Sequence, residues 1–270
     1  MELIRPVNGL MAAAAVLVGA FVSRSPTDWG PATAAACAAF AAAAGANALN
    51  DGLDRDTDTI NRPGRPVPSG RMSPGAALAA AGVAFIVSLA LAATVSGRAL
   101  ALVAGWLVLT AVYSRSLKGV PIAGNVAVAA VASTPFLMGG FSQGKYLLAM
   151  IPTAIAFLLH LAREIVKDIE DIEGDRAAGL RTLAVRQGPE VAWGAARGVL
   201  IALIGLAAVP FALGIYGWGY AAFVVVIDVL LIRAMISMTR GASKDGAARI
   251  SAALKLVMVL GLAAFAAGTF

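Results

Sequence analysis

The chain has 270 residues, 60% of them hydrophobic and only 13% charged, with a formal net charge of +6. A mean hydropathy of +0.83, with long Ala/Val/Leu/Ile/Gly runs, excludes an ordinary soluble domain, and a single cysteine, Cys37, excludes an intrachain disulfide. The apolar segments have the roughly 17–25 residues that a membrane span requires.

Hydrophobic runs and their Pro/Gly punctuation predict nine helices, over 7–23, 31–50, 75–95, 98–114, 121–141, 146–166, 190–213, 217–236 and 249–269. Arg5 before an apolar run has the look of a signal peptide, but the eight later spans favour a retained first helix. Cys37 reads as a small packing residue of the second helix. That helix ends in an acidic cluster, in which Asn50, Asp54 and Asp58 stand at i, i+4 and i+8 with Asp51 and Asp56 between them. The next stretch, Arg62-Pro63-Gly64-Arg65-Pro66-Val67-Pro68-Ser69-Gly70-Arg71, is too rich in Pro and Gly for a helix and reads as an ordered or closing loop. Tyr113-Ser114-Arg115-Ser116-Leu117-Lys118 follows the fourth helix.

The sixth helix carries the only histidine, His160, whose predicted role is packing or hydrogen bonding, and then a second acidic cluster. Here Glu164, Asp168, Glu170, Asp171, Glu173 and Asp175 are interleaved with Arg163 and Lys167, and Asp171 and Asp175 repeat the four-residue spacing. Gly194 and Gly198 offer a small-xxx-small packing face. Asp228 lies inside the eighth helix and requires a partner, for which Arg197 and Lys255 are the candidates.

With the N-terminus in the cytoplasm, 18 Lys and Arg fall on the cytoplasmic side and only three, Arg24, Arg98 and Lys145, on the other. This predicts a multi-pass protein of the cell membrane with both large loops, 51–74 and 167–189, and the short connection 114–120 in the cytoplasm. The basic pI then points to anionic headgroups and an anionic substrate, with no nucleic acid. No obligate protein partner is evident.

Ten of the 15 acids fall in the two clusters, although carboxylates near hydrocarbon are costly. Acids four apart share a helix face. Two such faces aimed at each other would hold Mg²⁺, which takes one or two carboxylates and completes its shell from phosphate oxygens. Arg62, Arg65, Arg71, Arg115 and Lys118 would add cations to a diphosphate. The alternative is a solvated charged face at the membrane surface. There is no His/Cys set for zinc and no Walker loop.

These residues resemble the UbiA-type intramembrane prenyltransferases. The family's Asn-Asp-x-x-Asp-x-x-x-Asp motif is matched by Asn50, Asp51, Asp54 and Asp58, and its second Asp-x-x-x-Asp by Asp171 and Asp175. The resemblance implies one intramembrane domain over 1–270, an all-α bundle of nine transmembrane helices around a central cavity. It implies Mg²⁺ held by Asn50, Asp54, Asp58, Asp171 and Asp175, with Lys118 acting on the diphosphate. Substrate contacts would come from Arg5, Asn8, Asp51, Arg62, Arg65, Arg71, Tyr113, Arg115, Arg163, Glu164, Lys167 and Asp168. Among these, Arg5, Arg62, Arg163 and Lys167 are the candidates for the acceptor's phosphate.

Within the family, Glu2–Asn8, Ile60–Gly70 and Arg163–Asp175 are most similar to the archaeal members that build ether lipids. That likeness implies geranylgeranyl diphosphate as donor and geranylgeranylglyceryl phosphate as acceptor. There are two departures. Tyr113 stands five residues before Lys118 where many relatives have four, and Glu164 stands where relatives with aromatic acceptors carry Asp. The second departure fits a different acceptor, but both acceptors are anionic and charge alone does not separate them, so an aromatic acceptor of quinone synthesis is the main alternative. A CDP-alcohol phosphotransferase lacks its Ala-Arg pair here, and a transporter or cation channel would place its acids nearer the bilayer midplane.

Overall fold

The computed structural model describes residues 3–23, 28–238 and 243–269; Glu2, Arg24, Pro26 and Arg240 lie outside them. The described residues form α-helices with no strand. In chain order these are α1 (Pro6–Val22), α2 (Trp29–Leu53), α3 (Arg55–Asn61), α4 (Pro74–Val95), α5 (Gly97–Val112), a π-turn (Tyr113–Leu117), α6 (Ala123–Ser133), α7 (Pro135–Ser142), α8 (Met150–Glu170), α9 (Ile172–Ala177), α10 (Leu183–Gln187), α11 (Pro189–Ala212), α12 (Trp218–Met238) and α13 (Lys244–Ala267).

Helix starts follow local chemistry. Ser73, Ser96 and Ser243 accept hydrogen bonds from the backbone N–H of Ala76, Ala99 and Gly246, relieving donors that have no partner inside the helix. Proline occupies the first turn of α1, α4, α7 and α11, where its missing N–H costs nothing. Pro135 divides the predicted fifth span into α6 and α7, because its ring cannot continue the hydrogen-bond ladder. Pro210 is tolerated inside α11.

Seven helices are long and apolar enough to cross a membrane: Trp29–Leu53, Pro74–Val95, Gly97–Leu117, Ala123–Ser142, Pro189–Ala212, Trp218–Met238 and Lys244–Ala267. The other two predicted spans appear as α1, with 17 residues, and α8, whose last two turns are charged. The bundle has two layers of core. Small residues of α1, α2 and α4 pack closely with Val103 and Trp106 of α5 and Met138 of α7. The second cluster joins α8, α11, α12 and α13 through Trp193, Leu200, Leu231 and Leu254.

Where α1 and α7 cross, Gly19 and Gly139 let the backbones touch; a Cβ on either would collide with main-chain atoms of the other helix. Gly194 and Gly198 have open space beside them, so the packing face predicted there is not used within this chain. Cys37 is exposed on α2 rather than packed. Asp228 pairs with neither predicted partner, and its buried Oδ1 has no hydrogen bond.

Between the layers lies a cavity of about 1020 Å³. Its walls come mainly from α1, α2, α5, α6, α8 and α13, while α11 and α12 buttress α8 and α13 from outside. Apolar side chains such as Phe136, Leu159, Leu262 and Phe265 line its deeper part. Both acidic clusters lie at the other end.

Candidate active site

Each acidic cluster is built on the same local device. Asp54 is at once the C-cap of α2 and the N-cap of α3, with φ −97° and ψ 17°. Asp171 joins α8 to α9 in nearly the same conformation, φ −97° and ψ 3°. These kinks do not interrupt the one-per-turn ladder. Asp54 N–H bonds to Asn50 O at 2.8 Å, Asp58 N–H to Asp54 O at 2.8 Å, and Arg62 N–H to Asp58 O at 2.7 Å. On the other side, Asp171 N–H bonds to Lys167 O at 2.8 Å and Asp175 N–H to Asp171 O at 3.0 Å. Side chains one turn apart therefore share a face through each kink, and Asn50, Asp54, Asp58, Asp171 and Asp175 all line the cavity mouth.

The end of α3 locks the two clusters together. The Asn61 carboxamide donates to Asp171 O at 3.0 Å and accepts from the Gly174 N–H at 3.1 Å. A Cβ on Gly174 would strike that carboxamide, so the Gly in Glu173-Gly174-Asp175 is demanded by this contact. Arg62 reaches across beside it, to Asp171 Oδ2 at 2.8 Å and Glu170 Oε1 at 3.3 Å.

Cations face the remaining acids. Lys118 pairs with Asp54 and Arg65 with Asp58. The five-residue spacing of Tyr113 and Lys118 is absorbed by the π-turn, in which Lys118 N–H bonds to Tyr113 O at 2.8 Å. The wider turn places Lys118 one turn after Tyr113, as four residues would in an α-helix, and both line the cavity. Asp175 is buried and has no ion-pair partner among the described residues. Burial, then the neighbouring Asp171, push its carboxyl up to about 6, against the pull of Lys118, Lys167 and Arg62.

Asp51 is fully buried and does not line the cavity. It anchors Arg5, which also reaches Asn47 Oδ1 at 3.3 Å, and lies 3.6 Å from Arg65. Arg5 has a left-handed backbone, φ 43°, a conformation that costs a side-chain-bearing residue about 1–2 kcal/mol. The Asp51–Asn47 anchor holds it there at the start of α1.

The α8 wall carries the other predicted residues. Glu164 accepts from Lys167 Nζ at 2.8 Å and from Arg163 at 3.2 Å. Asp168 accepts from Asn125 Nδ2 at 3.0 Å. All four α8 residues, with Asn8 and His160, line the cavity. Arg71 and Arg115 do not. Arg71 is exposed and bonds to Ser69 Oγ at 2.9 Å within its own loop, and Arg115 is exposed on the π-turn.

Sequence reasoning did not single out Asn47, Asn61, Asn125 or Thr182. Asn47 and Asn125 had a usable signal, a carboxamide inside an apolar helix. Asn61 had none beyond its place beside Arg62. Thr182 lines the cavity with a buried hydroxyl that lacks a partner.

The donor set suits a hard divalent ion. Every candidate ligand is a carboxylate or carboxamide oxygen, and Asp175 is a buried acid without an ion pair among the described residues. No three acidic, His or Cys side chains among the described residues converge on one point. The facing pairs would each supply one or two ligands and leave the rest to phosphate oxygens and water, the usual habit of Mg²⁺.

A family model described as the UbiA prenyltransferase family matches residues 12–259. The digeranylgeranylglyceryl phosphate synthase of Methanopyrus kandleri is 39% identical over 267 residues, 99% of this chain and 97% of that protein. The protein of the same name from Halobacterium salinarum is 42% identical over 221 residues, 82% of this chain and 80% of that one. A structure solved in work on digeranylgeranylglyceryl phosphate synthase in membranes matches with TM-score 0.79 at 28% identity, covering 99% of this chain and 96% of that one. A UbiA homologue from Archaeoglobus fulgidus, solved bound to GPP and Mg²⁺, shares the fold with TM-score 0.73 at 20% identity, over 98% of both chains.

Proposed function

The chain belongs to the UbiA prenyltransferase family, and from that premise we propose that it transfers a geranylgeranyl group from geranylgeranyl diphosphate to the free hydroxyl of geranylgeranylglyceryl phosphate. The products are the diether digeranylgeranylglyceryl phosphate and diphosphate, as the names of its relatives indicate. The observation that carries this reading is the pair of kinked acidic helices facing each other at the mouth of a long apolar cavity. Such a site takes a polyanionic head at one end and an isoprenoid tail at the other.

The donor's diphosphate lies between the α2–α3 and α8–α9 kinks, with Asn50, Asp54, Asp58, Asp171 and Asp175 as the Mg²⁺ ligands. Mg²⁺ held by these residues would supply the positive charge that lets diphosphate leave. Lys118, Arg62 and Arg65 are paired with these acids and border the space for the diphosphate, where they would donate to its oxygens. There they stabilise charge that develops on the bridging oxygen. Tyr113 borders the same space.

As the bond between C1 and that oxygen breaks, the electron pair leaves with diphosphate and an allylic cation remains at C1. An acceptor hydroxyl held within about 3–3.5 Å captures it. The hydroxyl proton passes to Asp168, which Asn125 orients, or to the departing diphosphate. Apolar lining receives the tail, each buried CH₂ contributing about 0.8 kcal/mol, so chain length is selected by where the cavity ends.

The full topology proposed is nine spans, with α6 and α7 forming one, α1 and α8 included, and the N-terminus and acidic loops in the cytoplasm. Transfer should be tested with labelled geranylgeranyl diphosphate and purified protein in detergent. Chelation by EDTA should stop turnover and Mg²⁺ should restore it. Transfer that persists in EDTA would remove the metal from the scheme.

A further inference from the structure

The cavity has a second charged region that the diphosphate clamp does not use. Lys255 of α13 lines the cavity eleven residues, about 16 Å of helix, beyond the start of α13 at Lys244. It has no hydrogen bond or ion pair among the described residues. It lies within electrostatic reach of Arg163, Glu170, Lys167 and Arg62. Ala248, Ser251 and Ala252 precede it on the same cavity-lining face, so small side chains leave room above it. Across from this face, Arg163 keeps a buried Nε–H that has no acceptor.

The partnerships decide what belongs there. Arg163 and Lys167 share Glu164, Asp168 accepts from Asn125 and Glu170 is engaged by Arg62, so none of the three acids lining this wall forms an ion pair with Lys255. Positive groups gathered at this depth repel one another and are costly without a partner. A lysine serving only as a membrane anchor would extend toward the headgroups, away from other cations. The unpaired Lys255 ammonium and the unsatisfied Arg163 Nε–H are charged donors aimed at one space, a set that suits the oxygens of a phosphate monoester. The location fits as well. Lys255, Leu256 and Val259 of α13 and Val7 and Asn8 of α1 are exposed cavity-lining residues, so a lipid enters the cavity past them.

We propose that Lys255, with Arg163 and Ser251, forms the subsite that binds the phosphate of the acceptor lipid and so selects a phosphorylated acceptor. This rests on the glyceryl phosphate acceptor of the proposed function. It also shifts the phosphate away from Arg5, which is committed to Asp51, and from Arg62, which belongs to the diphosphate clamp.

The test compares wild type, K255M and K255R in nanodiscs of neutral lipid, with geranylgeranylglyceryl phosphate and the same lipid lacking its phosphate as acceptors. K255M should raise the KM for the phosphorylated acceptor at least tenfold and erase most of the preference over the unphosphorylated one. The KM for geranylgeranyl diphosphate should stay within about twofold, which also reports an intact fold, and K255R should recover most of the preference. An unchanged acceptor KM in K255M, or equal rises for both substrates, overturns the subsite. So does a K255M effect seen only when anionic phosphodiester lipid is added, because the site then reads bulk headgroups. Failure of wild type itself to use the glyceryl phosphate acceptor overturns the functional reading, and the subsite falls with it.

Discussion

The two charged walls of the cavity are built to different rules. On the wall formed by α2, α3 and α9, three of the four motif acids that line the cavity already have a cation: Asp54 with Lys118, Asp58 with Arg65 and Asp171 with Arg62. On the wall formed by α8 and α13, Arg163 and Lys167 share Glu164, and Lys255 has no ion pair among the described residues. The first wall can exchange its internal pairs for a metal-bound diphosphate with little net change in buried charge. The second is short of an anion. One cavity can thus hold two anionic lipids at the same time and keep them apart by the form of charge each requires.

The largest effects should come from breaking the acidic wall. Asp54→Ala or Asp175→Ala should lower kcat by about 10²–10³-fold, measured as Mg²⁺-dependent transfer of labelled donor. Retention of near-normal transfer in either variant would remove that residue from the clamp. Next comes the link that holds the wall together. Asn61→Ala and Arg62→Ala leave the acids in place but free α3 from α9, so the Mg²⁺ concentration for half-maximal rate should rise about 10–100-fold. A metal titration separates this from lost chemistry, because excess Mg²⁺ should restore much of the rate. Lys255→Met should come third, with its effect confined to the acceptor KM.

The smallest expected effect is on pH. Asp175 titrates near 6 in the folded protein, above the ordinary value for Asp. Its proton therefore favours the folded metal-free state as pH falls through about 6, and the group is a burden above that pH. Mg²⁺ relieves the burden only when the carboxylate is charged. The rise in Tm on adding Mg²⁺ should be larger at pH 7.5 than at pH 5, and equal shifts would show that Asp175 is not a ligand.

Much of this was legible in the sequence because hydrocarbon imposes simple rules. The long apolar runs located most helices to within a few residues, and the four-residue spacing of the acids correctly placed them on one face. The kinks at Asp54 and Asp171 were not foreseeable, since i, i+4 spacing reads the same in a straight helix. Nor was the π-turn, which turns the five-residue Tyr113–Lys118 spacing into an ordinary single turn. Partnerships were the weakest part. Asp228 was expected to pair with Arg197 or Lys255, and Gly194 and Gly198 to pack, but each depends on which helix lies opposite. The same uncertainty hid Lys255, which the sequence offers only as a partner for Asp228 until α13 is set against α8.

The account is tested most directly by mass spectrometry of the products made by purified protein given geranylgeranyl diphosphate and Mg²⁺, with geranylgeranylglyceryl phosphate and an aromatic acid offered together. The predicted result is the diether phosphate with diphosphate released in equal amount. A prenylated aromatic acid as the main product, or no transfer by a protein that instead moves ions or solutes across liposomes, would contradict it.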